Sequence, residues 1–200
     1  MIMRPSAFAV MLLGMWSAGA MAAQEPRTIV PSRVASGTLS FDAHATVGDF
    51  TGTTSTVSGG MTGAATLAEV RGCVEAPTNT LVTGKGRRDR DLNSSMETDK
   101  YPLMRFELKD VSPTSEPADS MTAALMGDLT LHGLTRPDTV PSTLVWTGDT
   151  LHLRAEFPVD VKDYGVGGLT KFLGALKMDE HILVHVDLTF VPGPGGCGGA

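Results

Sequence analysis

The stretch that most restricts the fold is Met126-Gly127-Asp128-Leu129-Thr130-Leu131-His132-Gly133-Leu134-Thr135-Arg136-Pro137. Leu125, Gly127, Leu129 and Leu131 alternate with Met126, Asp128, Thr130 and His132. A period of two with one apolar and one mostly polar face is the signature of a half-buried antiparallel strand. Gly133 frees the backbone and Pro137 withholds an amide, so a turn is expected there, with the next strand at Val140 to Trp146.

The same period recurs along the chain. Leu39, Phe41, Ala43, Ala45 and Val47 oppose Ser40, Asp42, His44 and Thr46, and after Gly48-Asp49 the Thr-rich Phe50 to Val57 returns. Leu67 to Ala76 reads as a third strand, with Val70, Gly72, Val74 and Ala76 opposite Arg71, Cys73 and Glu75. Pro102 opens a strand carrying Met104, Phe106 and Leu108. Val140 to Trp146 and Leu151 to Asp160 form a hairpin around Gly148-Asp149, and Leu153, Ala155 and Phe157 share one face. Ile182, Val184, Val186, Leu188 and Phe190 make the last strand.

Two stretches depart from this habit. Leu92 and Met96 lie four apart within Arg87 to Met96, which suits a short amphipathic helix. Leu169, Phe172, Leu173 and Leu176 suggest a second short helix or an ordered loop. The expected fold is all-β, an eight-stranded antiparallel barrel with one or two short helices, because closure removes edges that long apolar-faced strands would leave open. Its candidate lumen is lined by Phe41, Met104, Phe106, Leu125, Leu129, Leu131, Trp146, Leu153, Ala155, Phe157, Ile182, Val184, Val186 and Leu188.

The ends of the chain read differently. Arg4, the apolar run Ala7 to Trp16 and Ala20-Met21-Ala22 have the order of a cleavable secretory signal, Met1 to Ala22, and the run is too short to span a bilayer. No cysteine follows it to carry an acyl anchor. Residues 23–35 read as a linker, 36–191 as the barrel and 192–200 as a disordered Gly/Pro tail. A hydrophobic content of 42% against 19% charged suffices for one core. Without Arg4, 15 basic residues face 22 acidic ones, a net charge of −7 that disfavours nucleic acid and anionic membrane faces. Cys197 is expected either to bond to Cys73 or to another molecule, or to stay a free thiol in the tail, and two cysteines cannot by themselves build a zinc site.

Two motifs then carry a family resemblance. GDLTLHGLTRP, together with Leu81-Val82-Thr83-Gly84, Arg88-Asp89, Leu92 and Tyr101-Pro102-Leu103-Met104-Arg105-Phe106, resembles the signature of the YceI-like family of lipid- and polyisoprenoid-binding proteins. The resemblance covers roughly residues 36–190 and implies a lipocalin-like barrel whose lumen takes a long isoprenoid chain. Its signature positions here are Arg88, Asp89, Gly127, Leu129, Thr130, Gly133 and Pro137, with Arg88 and Asp89 implied as a fold-closing pair rather than as catalysts.

No enzyme site emerges from the residues. His181 and His185 are four apart on a strand, about 13 Å at roughly 3.3 Å per residue, too far for one metal. His132 and His152 read as outward-facing, and no G-x-S-x-G elbow marks a nucleophile. The expectation is therefore a periplasmic or secreted, non-enzymatic protein that sequesters or carries a long-chain isoprenoid lipid of polyisoprenoid or quinone type. That lipid is its one partner, with no other cofactor and no stable membrane insertion, and the sequence leaves room for a homodimer. The alternative is a side-chain-filled barrel acting as a structural or stress-interaction protein.

Overall fold

A computed structural model of the chain describes residues 28–46, 48–115, 119–166, 170–171 and 176–197. The expected signal peptide, and Leu169, Phe172 and Leu173 of the expected second helix, lie outside the described residues. The strands are β1 (Ser32–Ala45), β2 (Phe50–Thr54), β3 (Ser58–Met61), β4 (Gly72–Pro77), β5 (Leu103–Pro113), β6 (Ser120–Leu131), β7 (Leu134–Thr147), β8 (Thr150–Asp160), β9 (Thr170–Lys171) and β10 (Leu176–Pro192). Among the described residues there is one α-helix, α1 (Gly86–Ser95), between β4 and β5.

These segments build an eight-stranded closed antiparallel barrel. β2 and β3 lie end to end along the same edge of β1 and together make one stave, while β9 pairs only with the start of β10. The other neighbours follow in order from β3 to β8 and then β10, which pairs with β1 from Ser32 opposite Pro192 to Ala45 opposite Met178. Side-chain parity follows the sequence: Ile182, Leu188 and Phe190 of β10 are buried, while His181 and Asp187 are exposed.

The lower end is packed solid. Met121 faces Leu144 across β6 and β7, Trp146 faces Leu151 across the β7–β8 hairpin, and Leu151 faces Phe190 on β10. Met121, Leu144, Leu151 and Phe190 are all buried, and Leu188 just above them is 1% exposed.

Several boundaries differ from the sequence reading, each for a local reason. The β6–β7 turn is tighter than expected: it holds only His132 and Gly133, at φ 51° and 74°, and β7 restarts at Leu134. Positive φ at both central residues is what a type I′ hairpin requires, and glycine supplies it without steric cost. Pro137 consequently lies inside β7, opposite Asp128. It is tolerated because β7 pairs with β8 only from Ser142 onward, so residues 134–141 have a single ladder neighbour.

β4 begins at Gly72, because Leu67–Glu69 form a 3₁₀ turn in which Glu69 accepts from the Thr66 amide at 3.3 Å. Thr-Leu-Ala-Glu is the T-x-x-E pattern of a helix start, which competes with the strand. β1 reaches back to Ser32, into the stretch read as linker, and Ile29 already bridges Ala64.

The tail is also corrected. Pro192 ends β10, the Gly193 amide donates to the Pro31 carbonyl at 3.0 Å, and Gly195 lies against Gly60 on the outside of β3. Cys197 is bonded to Cys73 with the Cα atoms 5.7 Å apart. Residues 192–197 therefore have partners that their composition did not announce.

The bond closes a span of 124 residues, and covalent closure of so long a loop typically stabilises by about 2–4 kcal/mol, mainly through the unfolded chain. Cys197→Ser is expected to lower the unfolding free energy by about that amount, without loss of ligand uptake, since Cys73 has the strand parity of Glu107, its exposed partner on β5. Denaturant unfolding measures the first effect, and a variant as stable as the parent would contradict the pinned tail.

Candidate ligand-binding cavity

Above the packed floor the inward side chains do not meet. They enclose a cavity of about 790 Å³, within the roughly 300–1,000 Å³ span of small-molecule sites. Every residue of the predicted lumen lines it except Trp146. Trp146 has the inward parity of β7 but packs against the core beside Leu151 at the hairpin end, so it belongs to the floor.

The open space is visible in the side chains themselves. Met104, Phe106, Leu129, Ala155, Val184 and Val186 point inward yet are only half-buried. In a filled barrel those positions would be as buried as Phe157 or Leu125, because native interiors leave few voids larger than a water molecule. All six border the lumen, and Ala155 and Val186 also border an outer groove beside Arg154 and His185.

The upper end is built by the segment between β4 and β5. Among the described residues no strand pairs with the far edge of β2. Instead the Thr53 amide donates to the Val82 carbonyl at 2.9 Å, and the Val82 amide donates back at 3.0 Å. Thr54 and Thr80 join their hydroxyls at 2.6 Å. α1 then lies across the mouth, with Leu92 and Met96 bordering the cavity and Met96 buried. The Arg88 guanidinium sits 4.2 Å from the centre of the Phe50 ring, which packs edge-on against Phe41.

Asp89 accepts from the Thr83 amide at 2.7 Å and from its hydroxyl at 2.6 Å. The Thr83 hydroxyl, and then its amide, hold the Asp89 carboxyl below its ordinary range. Arg88 and Asp89 therefore do separate tasks: one closes on an aromatic ring, and the other staples the loop to the helix.

The two sequence motifs meet at this collar. Tyr101 packs edge-on against His132 with ring centres 4.5 Å apart, and a side chain at Gly133 would strike the Tyr101 ring at 2.4 Å. His132 places Nε2 2.9 Å from Glu97 Oε2 and Nδ1 3.0 Å from the Tyr164 carbonyl. Its side chain is 9% exposed, contrary to the outward reading, because it stands in the turn rather than in the strand and strand parity does not apply. Arg136 Nε donates to the Asp163 carbonyl at 2.8 Å. Thr130 and Thr135 join hydroxyls at 2.8 Å, and Gly127 allows β6 to approach β5, where a Cβ would meet the Glu107 carbonyl at 2.2 Å.

The other histidines belong to the outer wall. His185 lies 2.9 Å from Asp42 and 3.2 Å from Glu156, His152 lies 3.2 Å from Thr189, and His44 lies 2.9 Å from Asp49. The bond to Asp49 raises the His44 pKa. Asp160, Glu180 and His181 each bring one atom within 4.8 Å of the others, but Lys162 engages Glu180 through Nζ and Asp160 through its amide. Neither these four histidines nor His132 line the cavity. What the cavity offers chemically is desolvation of an apolar chain with a charged mouth at one end.

Comparisons with known proteins agree with this architecture. Residues 32–190 match the family model of the YceI-like domain. A UPF0312 protein of Pseudomonas putida (strain W619) is 31% identical over 103 residues, which cover 48% of this chain and 52% of that protein. The chain thus spans about half the length of the curated relatives it matches. A polyisoprenoid-binding domain from Saccharophagus degradans, implicated in plant cell wall breakdown, superposes with a TM-score of 0.69 at 15% identity, covering 82% of this chain and 99% of that one. BcnA of Burkholderia cenocepacia gives 0.66 at 16% identity, covering 76% and 95%. At these identities the structural likeness speaks for the fold.

The Asp89 staple has a testable consequence. A carboxyl whose folded pKa is depressed contributes stability that is present above its unfolded pKa, about 3.9, and lost as pH falls through the lower folded value. Asp89→Ala should remove the staple at neutral pH, so amide exchange across residues 86–95 speeds up while the barrel strands keep their protection. Unchanged exchange in α1 would contradict the staple.

Proposed function

The chain belongs to the YceI-like family, and from that premise we propose that it is an exported protein that sequesters or carries a long-chain isoprenoid lipid inside its barrel. The observation that carries the proposal is the set of inward, apolar, half-exposed side chains around an open cavity of about 790 Å³. The neighbour described as a polyisoprenoid-binding domain supports the choice of chain chemistry.

Simple burial supplies the driving force. Each CH₂ taken from water is worth roughly 0.8 kcal/mol, so one five-carbon isoprene unit gives on the order of 4 kcal/mol before ordering costs. A few units in the lumen suffice for tight binding. Binding rather than catalysis is the reading, because the histidines and the pairs of polar groups described above lie on the outer wall or brace the collar.

Export to the periplasm or beyond rests on the signal-like order of Met1 to Ala22 and on the Cys73–Cys197 bond, which suits an oxidising compartment. Among the described residues no helix is long and apolar enough to cross a membrane. The half-exposed lumen weighs against a side-chain-filled barrel.

Ala155 and Glu156 separate the two readings, since Ala155 borders the cavity and Glu156 faces His185 outside. Ala155→Trp should cut the lipid taken up per mole from a mixed isoprenoid extract, with less than about 1 kcal/mol change in stability, and Glu156→Ala should leave uptake as it is. In a filled interior the same tryptophan would destabilise by roughly 1–3 kcal/mol through overpacking. A destabilised Ala155→Trp together with a parent that never loads lipid would refute the carrier.

A further inference from the structure

Between the upper halves of β7 and β8 the wall has no ladder among the described residues, and the sequence dictates it. Leu131 and Leu134 flank the β6–β7 turn, Thr147 and Thr150 flank the β7–β8 turn, and residues that flank a two-residue turn exchange both backbone bonds. Alternation then turns the odd-numbered residues of β7 and the even-numbered residues of β8 toward each other. Above Thr143 and Arg154, the last such pair, the next ones would be Pro141 with Glu156, Thr139 with Pro158 and Pro137 with Asp160. Each contains a proline, which has no amide to give. The Thr139 amide donates instead to the Asp138 carboxylate at 2.7 Å.

Backbone frames this gap without filling it. Below it Ser142 pairs with Ala155. Above it residues 161–164 cross from the end of β8 to the β6–β7 corner, where Arg136 and His132 meet the Asp163 and Tyr164 carbonyls. Within the frame Val140, Phe157 and Val159 are buried and line the lumen, whereas Pro137, Thr139, Pro141 and Pro158 are exposed. Beside the lower corner a groove of about 540 Å³ crosses the outer wall over Ala124, Pro141, Thr143 and His185, and it shares Ala155 and Val186 with the lumen. Its ionic groups answer one another, Arg154 to Asp187 at 2.9 Å and His185 to Asp42 at 2.9 Å, which leaves alanine, proline and threonine methyls as contact surface.

We propose that this frame is a side window of the lumen, through which the end of a chain longer than the cavity leaves the barrel and lies in the outer groove. The inference rests on the reading of the lumen as a lipid site and adds a tolerance of chain length to it. A closed cavity of about 790 Å³ would set an upper limit on its ligand, and the floor at Leu188 and Phe190 is packed. At the mouth α1 is tied down by the Asp89 bonds to Thr83. The window is shut by the side chains of Val140, Phe157 and Val159, which can change rotamer without breaking a ladder bond. A chain end that emerges there passes onto the groove instead of into open water, which keeps part of its apolar surface covered.

Thiol protection tests it. The native cysteines are bonded to each other, so Thr143→Cys places a single reactive thiol in the groove, and Thr147→Cys places one on the same strand but outside the groove. Both positions are exposed. Each variant of the full-length mature protein, disulfide intact, is loaded with farnesol or with solanesol, a much longer isoprenoid alcohol, and its rate of maleimide labelling is followed. Solanesol is expected to slow labelling at position 143 severalfold, and farnesol to leave it as in the unloaded protein, while position 147 is labelled at one rate throughout. Solanesol bound stoichiometrically with full-rate labelling at position 143 would overturn the window and leave the lumen reading standing, as would farnesol bound and solanesol refused. Equal slowing at both positions would also overturn the window, because the chain would then coat the surface instead of following the groove. If neither alcohol is taken up, the lipid reading and the window fall together.

Discussion

The pairing of β1 with β10 is the constraint on which the remaining structure depends. It joins the first long strand to the last, from Ser32 opposite Pro192 to Ala45 opposite Met178, and converts a sheet with two open edges into a barrel. Eight staves leave an interior that side chains can just fill, or that can hold one ligand. Side-chain size decides which. At the floor Met121, Leu144, Leu151 and Phe190 are large enough to meet, whereas higher up Gly72, Val74, Ala155, Val184 and Val186 stop short of one another. The cavity is thus a consequence of small residues at inward positions in a ring whose circumference closure has fixed.

Closure also has a weak sector, and the lid occupies it. β2 runs beside β1 but, among the described residues, has no strand on its other side, and the wall there is completed by Val82, the Thr54–Thr80 contact and α1. The two motifs shared with the family surround this sector. Tyr101 and Glu97 from one motif's neighbourhood grip His132 and Gly133 from the other, and Asp89 fixes the loop that carries α1. Most signature residues are therefore braces of the mouth; of them Leu129 and Arg88 border the cavity, and Arg88 rests on Phe50. The family pattern is legible as a way of holding one end of a barrel open while the other is packed.

Much of this was readable from alternation. The inward faces of β5, β6, β8 and β10 follow the period of two, and Leu39, Val140, Val159 and Phe190 line the cavity on the same faces as predicted neighbours. Parity cannot say how far along the barrel the space extends, so Trp146 was placed in the lumen when it belongs to the floor. It is silent at turns, which is why His132 read as exposed. Phe50, Leu81 and the cations of α1 come to the mouth through tertiary packing, and periodicity carries no record of that. The tail illustrates the same limit: glycines and prolines looked structureless, yet Gly195 fits against Gly60 and Cys197 reaches Cys73.

The central claim is that the open lumen holds an apolar chain. It is tested most directly by mass spectrometry of an organic extract made from the protein purified out of exporting cells under conditions that keep it folded. The account predicts a long-chain isoprenoid recovered at close to one molecule per chain and absent from the extract of Ala155→Trp. An extract free of lipid, from protein that also fails to load it afterwards, would contradict the account.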